Sequence, residues 1–178
     1  MSGKIQLLYG DQVLPAAIVD YCVRNREFLR PFEPVHSPEY YTVAHWEREL
    51  IRQEPETRPG SGVYFYICEA GNAERIIGMI SLTNIVMGPF RSAFLSYKLD
   101  KDLLNRGYMT EAVSLVTEYA FTRLGLHRIE ANVMPRNLPS LRVLEKCGYQ
   151  QEGLARKYLK INGVWEDHIH MVRLNEAE

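Results

Sequence analysis

The sequence predicts an α+β fold, layered as α/β, in which helices flank a mixed sheet. Two observations carry this. In the first half, three β-branched and aromatic runs are joined by connections so short that only antiparallel pairing fits. Further on, strand-like, helical and strand-like patterns alternate as a β-α-β unit. The full order is β-α-α-β-β-β-α-β-α-β-β, about seven strands and four helices. The 178 residues suit one domain, 1–178, large enough to bury a core without staples.

Ile5 to Tyr9 is a short strand. Val13 to Arg26 carries Leu14, Ala17, Ile18, Tyr21 and Cys22 at helical spacing. Pro31 and Pro34 keep the next segment out of a helix interior. Ser37-Pro38-Glu39 reads as a helix start, with proline in the first turn, and this helix runs to about Gln53. Glu54 to Gly62 is a loop. Val63–Glu69, Arg75–Val86 and Phe90–Leu99 are strands, joined at Ala70-Gly71-Asn72 and Met87-Gly88-Pro89 by turn residues. Tyr108 to Leu124 is a helix with Ala112, Val116, Ala120 and Leu124 on one stripe, and Gly125 stops it. Arg128 to Met134 is a strand. Asn137 to Cys147 is a helix capped by Asn137. Tyr149–Ile161 and Val164–Leu174 form a hairpin about Asn162-Gly163, the strongest short turn signal in the chain.

Bulk properties narrow the function. Lys plus Arg is 21 and Asp plus Glu is 22, a net charge of −1. Nothing in that balance points to nucleic acid or an anionic membrane. Cys22, Cys68 and Cys147 are odd in number and far apart, which suits a reducing interior and neither a disulfide frame nor a zinc knuckle. MSGKIQLLYG has no apolar run long enough for a signal peptide or a span. The expectation is a soluble, cytoplasmic protein.

One stretch raises a chemical question. Leu104-Asn105-Arg106-Gly107-Tyr108-Met109-Thr110-Glu111-Ala112 lies between a strand and a helix. A helix start offers backbone N–H groups without internal partners, and its dipole favours an anion there. Gly107 lets the chain bend and lets a phosphate come close. Alone, the stretch is either a turn or a phosphate cradle.

The context resembles the GNAT N-acetyltransferases. Ser96-Tyr97-Lys98-Leu99, a short loop and then Arg106-Gly107-Tyr108-Met109-Thr110-Glu111-Ala112 are similar to that family's acetyl-CoA-binding segment. Ala131 to Ser140, with Leu144 to Tyr149, resembles its second cofactor segment. Glu152-Gly153, Tyr158 and Asn162 to His168 resemble the tail of the RimJ/RimL ribosomal-protein N-terminal acetyltransferases, and Asn25 to Val35 resembles the RimJ branch. The resemblance covers most of the chain. It implies a GNAT fold whose central sheet splays in the middle. Acetyl-CoA would lie along Tyr97, Lys98, Leu99, Leu104, Asn105, Arg106, Gly107, Tyr108, Met109 and Thr110, and at Asn137 and Ser140. Two positions depart from the pattern: Leu104 where Gln or Arg is usual, and Met109 where Gly or Ala is usual. Backbone donors survive both changes, but Met109 bears on how closely the cofactor approaches.

Acetyl transfer needs a neutral amine, a thioester beside it, a donor for the oxyanion and an acid for the thiolate. The resemblance implies that the backbone N–H of Tyr97 or Lys98 polarises the acetyl carbonyl. It implies Ser140 as the acid, since this group places a serine near the sulfur. Asn137 caps its helix and, by the same resemblance, reaches the pantetheine amides. Relatives with a strand glutamate as base would have it where this chain has Asn132, which orients a water but takes no proton. Glu33 is the remaining carboxylate that the resemblance puts at the substrate mouth.

Other groups have plainer readings. His168 and His170 share a strand face but lack a third ligand nearby, so no metal is expected. Glu111 reads as a partner of the helix dipole, and Tyr40, Tyr41 and Trp46 as core aromatics. The implied acceptor is an α-amino group of a protein, such as a ribosomal protein. A small amine (polyamine or aminoglycoside) and a CoA-binding module without turnover remain the alternatives. The expected assembly is a monomer or a homodimer.

Overall fold

The computed structural model describes residues 3–53 and 62–177. Apart from Gly62, the loop read at Glu54 to Gly62 lies outside the described residues. Seven strands form one sheet: β1 (Ile5–Leu8), β2 (Gly62–Glu69), β3 (Asn72–Val86), β4 (Ser92–Leu99), β5 (Arg128–Val133), β6 (Gln150–Ile161) and β7 (Val164–Leu174). Their order across the sheet is β1-β2-β3-β4-β5-β7-β6. Among the described residues only β4 and β5 run parallel.

The helices are α1 (Pro15–Leu29), α2 (Val43–Gln53), α3 (Tyr108–Thr122) and α4 (Leu138–Lys146). α3 ends two residues before the expected Leu124, and two helices differ more from the sequence reading. α1 starts later, on Pro15, and continues three residues past Arg26, because Leu29 is buried and keeps the inner stripe going. The helix expected from Pro38 is broken: Pro38–Tyr41 is a 3-10 turn and Thr42 is extended. The Thr42 hydroxyl accepts the His45 N–H at 3.3 Å and restarts the chain as α2.

Residue alternation in the strands builds two apolar layers. Phe65 and Ile67 of β2 face a cluster with Ala112, Val113 and Val116 of α3 and Leu144 of α4. Tyr66 and Cys68 face the opposite way, against Ile18, Tyr21 and Cys22 of α1 and Trp46 of α2. The run Val63 to Cys68 is apolar and aromatic because both faces of the strand are covered.

The sheet divides at its centre. β4 and β5 pair only at Ser92↔Arg128, Ala93↔Ile129 and Phe94↔Glu130. Beyond that point β4 stays with β3 as far as Leu99↔Gly78, while β5 stays with β7 as far as Val133↔Ile169. Each strand follows its antiparallel partner, and the two halves of the sheet diverge.

Candidate active site

The loop that leads into α3 lies at the end of β4. Its start is braced by α1. The Asp100 carboxylate is fully buried and pairs with Arg24, with Arg75 at 3.6 Å. Asn25, also fully buried, accepts the Lys101 N–H at 2.9 Å. Asp100 also accepts from the Asp102 N–H and so caps the short turn Lys101–Leu103. The chain then passes through left-handed backbone at Asn105 (φ 61°) and Gly107 (φ 84°). Gly107 is the N-cap of α3, and no side chain caps this helix. α4 contrasts with it, since the Asn137 side chain accepts the Ser140 N–H there.

The side chains of this loop are engaged beside the helix start, and Lys4 Nζ lies next to Gly107. Met109 is buried in the main core, so the departure at that position fills the interior and leaves the loop's outer surface clear. The Tyr108 hydroxyl donates to Glu69 at 2.6 Å. Arg106 donates to the Asp102 carbonyl at 3.2 Å, and Lys4 Nζ donates to the Arg106 carbonyl at 3.0 Å. Leu104 is partly exposed. Glu111 lies in the first turn of α3, as a dipole partner should, and its carboxylate also accepts the Lys4 N–H at 3.0 and 3.1 Å, tying the N-terminal strand to α3. The result is a helix N-terminus without a side-chain cap and with an ammonium beside it, which fits a pyrophosphate.

Tyr97 and Ser140 meet across the opening between the halves. Tyr97 packs against the α3 and α4 layer. Its hydroxyl lies 2.8 Å from Ser140 Oγ and donates to the Ser140 carbonyl at 3.1 Å. Burial holds the Tyr97 phenol well above the ordinary tyrosine range, so it stays protonated. Leu99 packs on the same layer.

Lys98 lends that edge only its backbone, because its side chain turns to the opposite face. There Lys98 Nζ donates to Glu33 at 3.1 Å and to the Tyr40 hydroxyl at 2.9 Å. His36 stacks on Tyr40 with ring centroids 3.7 Å apart, and its Nε2 lies 3.3 Å from Glu33. Burial, with a smaller push from Lys98, keeps His36 below the ordinary imidazole range despite the nearby Glu33 carboxylate. Trp46 is core, as the sequence suggested, while Tyr40 is shared between the core and this cluster. Beside it a cavity of about 130 Å³ is lined by Arg26, Arg30, Glu33, Val35, His36 and Tyr41.

The other half of the sheet faces this cluster with Asn132, Tyr158, His168 and His170. Asn132 and His170 are register partners on β5 and β7. β6 is bulged between Ala155 and Leu159, with Lys157 at φ 49° and its N–H held by Asp167 at 2.7 Å. A bulge re-aims a side chain, and here Tyr158 is turned over β7. Its ring packs on His168 and His170, and its hydroxyl reaches Asn132 Nδ2 at 3.4 Å. Asn132 Oδ1 and His170 Nε2 are buried without a hydrogen-bond partner. Among the described residues no cluster of three or more His, Cys, Asp or Glu could hold a metal. The sequence quoted Tyr158 and the two histidines but held no sign that a bulge would bring them together. The Lys98–Glu33 pair spans 65 positions and was equally hidden.

Comparisons with known proteins identify the family. Residues 16–150 match the family model described as an acetyltransferase (GNAT) domain. The chain is 47% identical over 151 residues to a Bacillus subtilis (strain 168) protein named probable N-acetyltransferase YjcK, covering 85% of this chain and 83% of that one. It superposes on the ribosomal-protein-S5-alanine acetyltransferase of Vibrio fischeri with a TM-score of 0.88 and 35% identity, covering 97% and 92% of the two chains. Mycobacterium smegmatis RimJ in complex with CoA-disulfide gives a TM-score of 0.85 and 28% identity, covering 97% and 82%.

Proposed function

Because this chain belongs to the GNAT acetyltransferase family and is an acetyl-CoA-dependent N-acetyltransferase, we propose that its acceptor is the α-amino group of a protein N-terminus, such as that of a ribosomal protein. We read it as one domain, 1–178, working in the cytoplasm as a monomer or a homodimer, with no nucleic-acid partner. The observation that carries the acceptor assignment is the charge balance of the face opposite α3 and α4. Glu33 is paired with Lys98, and Glu166 with Arg136. A polyamine needs a surplus of carboxylates, whereas a single α-ammonium needs one polar, nearly neutral slot. The V. fischeri relative is named for such an acceptor.

In this reading the loop 104–110 holds the pyrophosphate on backbone N–H groups, and Asn137 takes the pantetheine amides. The free edge of β4 beyond Phe94 receives the thioester, with the Tyr97 or Lys98 N–H donating to the developing oxyanion. Glu33 takes the proton of the amine, and Asn132 orients a water or the amine itself. A free α-amino group has a reference pKa of about 7.7–8.0, so a modest base is enough near neutral pH. The amine attacks the carbonyl carbon, the tetrahedral intermediate collapses, and the C–S bond breaks. Ser140 then gives its hydroxyl proton to the thiolate and takes one back from solvent, its hydroxyl held in place by Tyr97.

The test is release of free thiol from acetyl-CoA with a panel of acceptors. The panel holds Ala-, Ser- and Met-starting peptides, an Nα-blocked lysine peptide, spermidine and an aminoglycoside. Release with the Ala- or Ser-starting peptides, with the acetyl group on the α-nitrogen by mass spectrometry, is the expected result. Release with small amines alone overturns the acceptor assignment.

A further inference from the structure

The segment 30–35 that carries Glu33 satisfies only part of its backbone on α1, where the Arg30 N–H donates to the Arg26 carbonyl at 3.1 Å and the Phe32 N–H to the Leu29 carbonyl at 2.8 Å, because Pro31 and Pro34 exclude regular structure. Further partners come from the far half of the sheet. One side chain, Asn162 in the β6–β7 turn, makes three of the bonds. Its Nδ2 donates to the Arg30 carbonyl at 2.9 Å and to the Glu33 carbonyl at 3.3 Å. Its Oδ1 accepts the Val35 N–H at 2.8 Å. Arg136 adds a fourth, donating from Nη2 to the Pro31 carbonyl at 3.0 Å while Nη1 pairs with Glu166 at 2.6 Å.

These bonds cross the divide in the sheet. Segment 30–35 leaves α1, which packs on β2 and β3. Asn162 and Arg136 belong to the β5-β7-β6 half. The clasp therefore closes the acceptor face into a ring around the opening. The turn alone does not require this residue. Asn162 sits at φ 50° and Gly163 at φ 88°, and glycine would serve the first position as well. What asparagine adds is the three bonds to the loop.

We propose that Asn162, supported by Arg136, is a positioning residue for the acceptor: it fixes the loop that places Glu33 and so governs the acceptor half of the reaction without touching the acetyl-CoA half. This rests on the acetyl-transfer reading above, in which Glu33 takes the amine proton. It predicts a split that a merely structural bond would not produce.

The test is Asn162→Gly, which keeps the turn, with Arg136→Gln as a second variant. Hydrogen exchange should quicken about tenfold or more in a peptide spanning 30–36 and stay unchanged in α3. Affinity for acetyl-CoA by calorimetry should stay within about twofold, which also shows that the variant is folded. With the best acceptor of the panel, kcat/KM should fall roughly 10- to 50-fold for Asn162→Gly and less for Arg136→Gln. The acidic limb of its pH profile should move up toward the amine's own value, about 8. Quickened exchange with unchanged acceptor kinetics and an unchanged pH profile overturns the proposal, as does unchanged exchange. No thiol release by the wild type on any amine is a different result: it overturns the acetyl-transfer reading itself.

Discussion

Tyr97 and Ser140 set the first prediction. Neither residue is unusual in sequence, but 43 positions apart they share one short contact across the opening. Ser140→Ala removes the hydroxyl that Tyr97 holds, and the thiolate must then leave unprotonated or draw on water. A thiol's reference pKa of about 8.5 keeps that penalty modest, so turnover should fall roughly 10- to 100-fold with little change in acetyl-CoA affinity. An unchanged single-turnover rate removes Ser140 as the acid. His36 offers a stability test. Burial holds its native pKa below the ordinary value, so below about pH 6.5 the unfolded chain binds more protons than the native one. Its contribution to stability is present at pH 7.5 and lost as the pH falls. His36→Gln should therefore narrow the difference in Tm between pH 7.5 and 5.5. An equal difference in both proteins counts against it.

At the scale of elements, the loop into α3 shows what sequence can and cannot carry. The glycine before a helix was legible because a backbone turn has a local signature, and the structure places Gly107 at φ 84° with α3 uncapped. A methyl added there meets only Lys4 Nζ, at 3.6 Å. The strain of a left-handed alanine is about 1–2 kcal/mol, enough to redirect the donors. Gly107→Ala should weaken acetyl-CoA binding about tenfold or more while Tm falls only a few degrees. An affinity within twofold of wild type sinks the cradle. The brace under the loop was not legible. Arg24, Asn25 and Asp100 look like ordinary polar residues until α1 lays them against β3 and β4, and Asp100 is then fully buried. The break at Thr42 was missed for a related reason, since an apolar period runs on through a residue that caps from its side chain. Asn162 was read for its turn alone, because its three bonds reach back over more than 120 positions.

At the scale of the molecule, the antiparallel pairing of β2, β3 and β4 and of β6 with β7 followed from connection lengths, whereas the divergence of the halves was expected from the family resemblance alone. No residue marks it. It comes from β4 and β5 each keeping a long antiparallel partner while sharing only three register pairs. Such a sheet has weak cohesion at its centre, and a ligand lying between the halves supplies contacts the protein lacks. Binding that favours the native state raises stability by about 2.7 kcal/mol at a ligand concentration of 100 Kd. For a chain of this size that is a rise in Tm of about 5–10 °C. CoA should produce this rise. Pantetheine has the arm that lies along β4 but no pyrophosphate for loop 104–110, so at the same concentration it should produce at most a degree or two. The Gly107→Ala protein should respond to CoA more weakly than wild type and to pantetheine about equally. If pantetheine matched CoA in the wild type, the grip would lie along β4 and α4 and not in the loop.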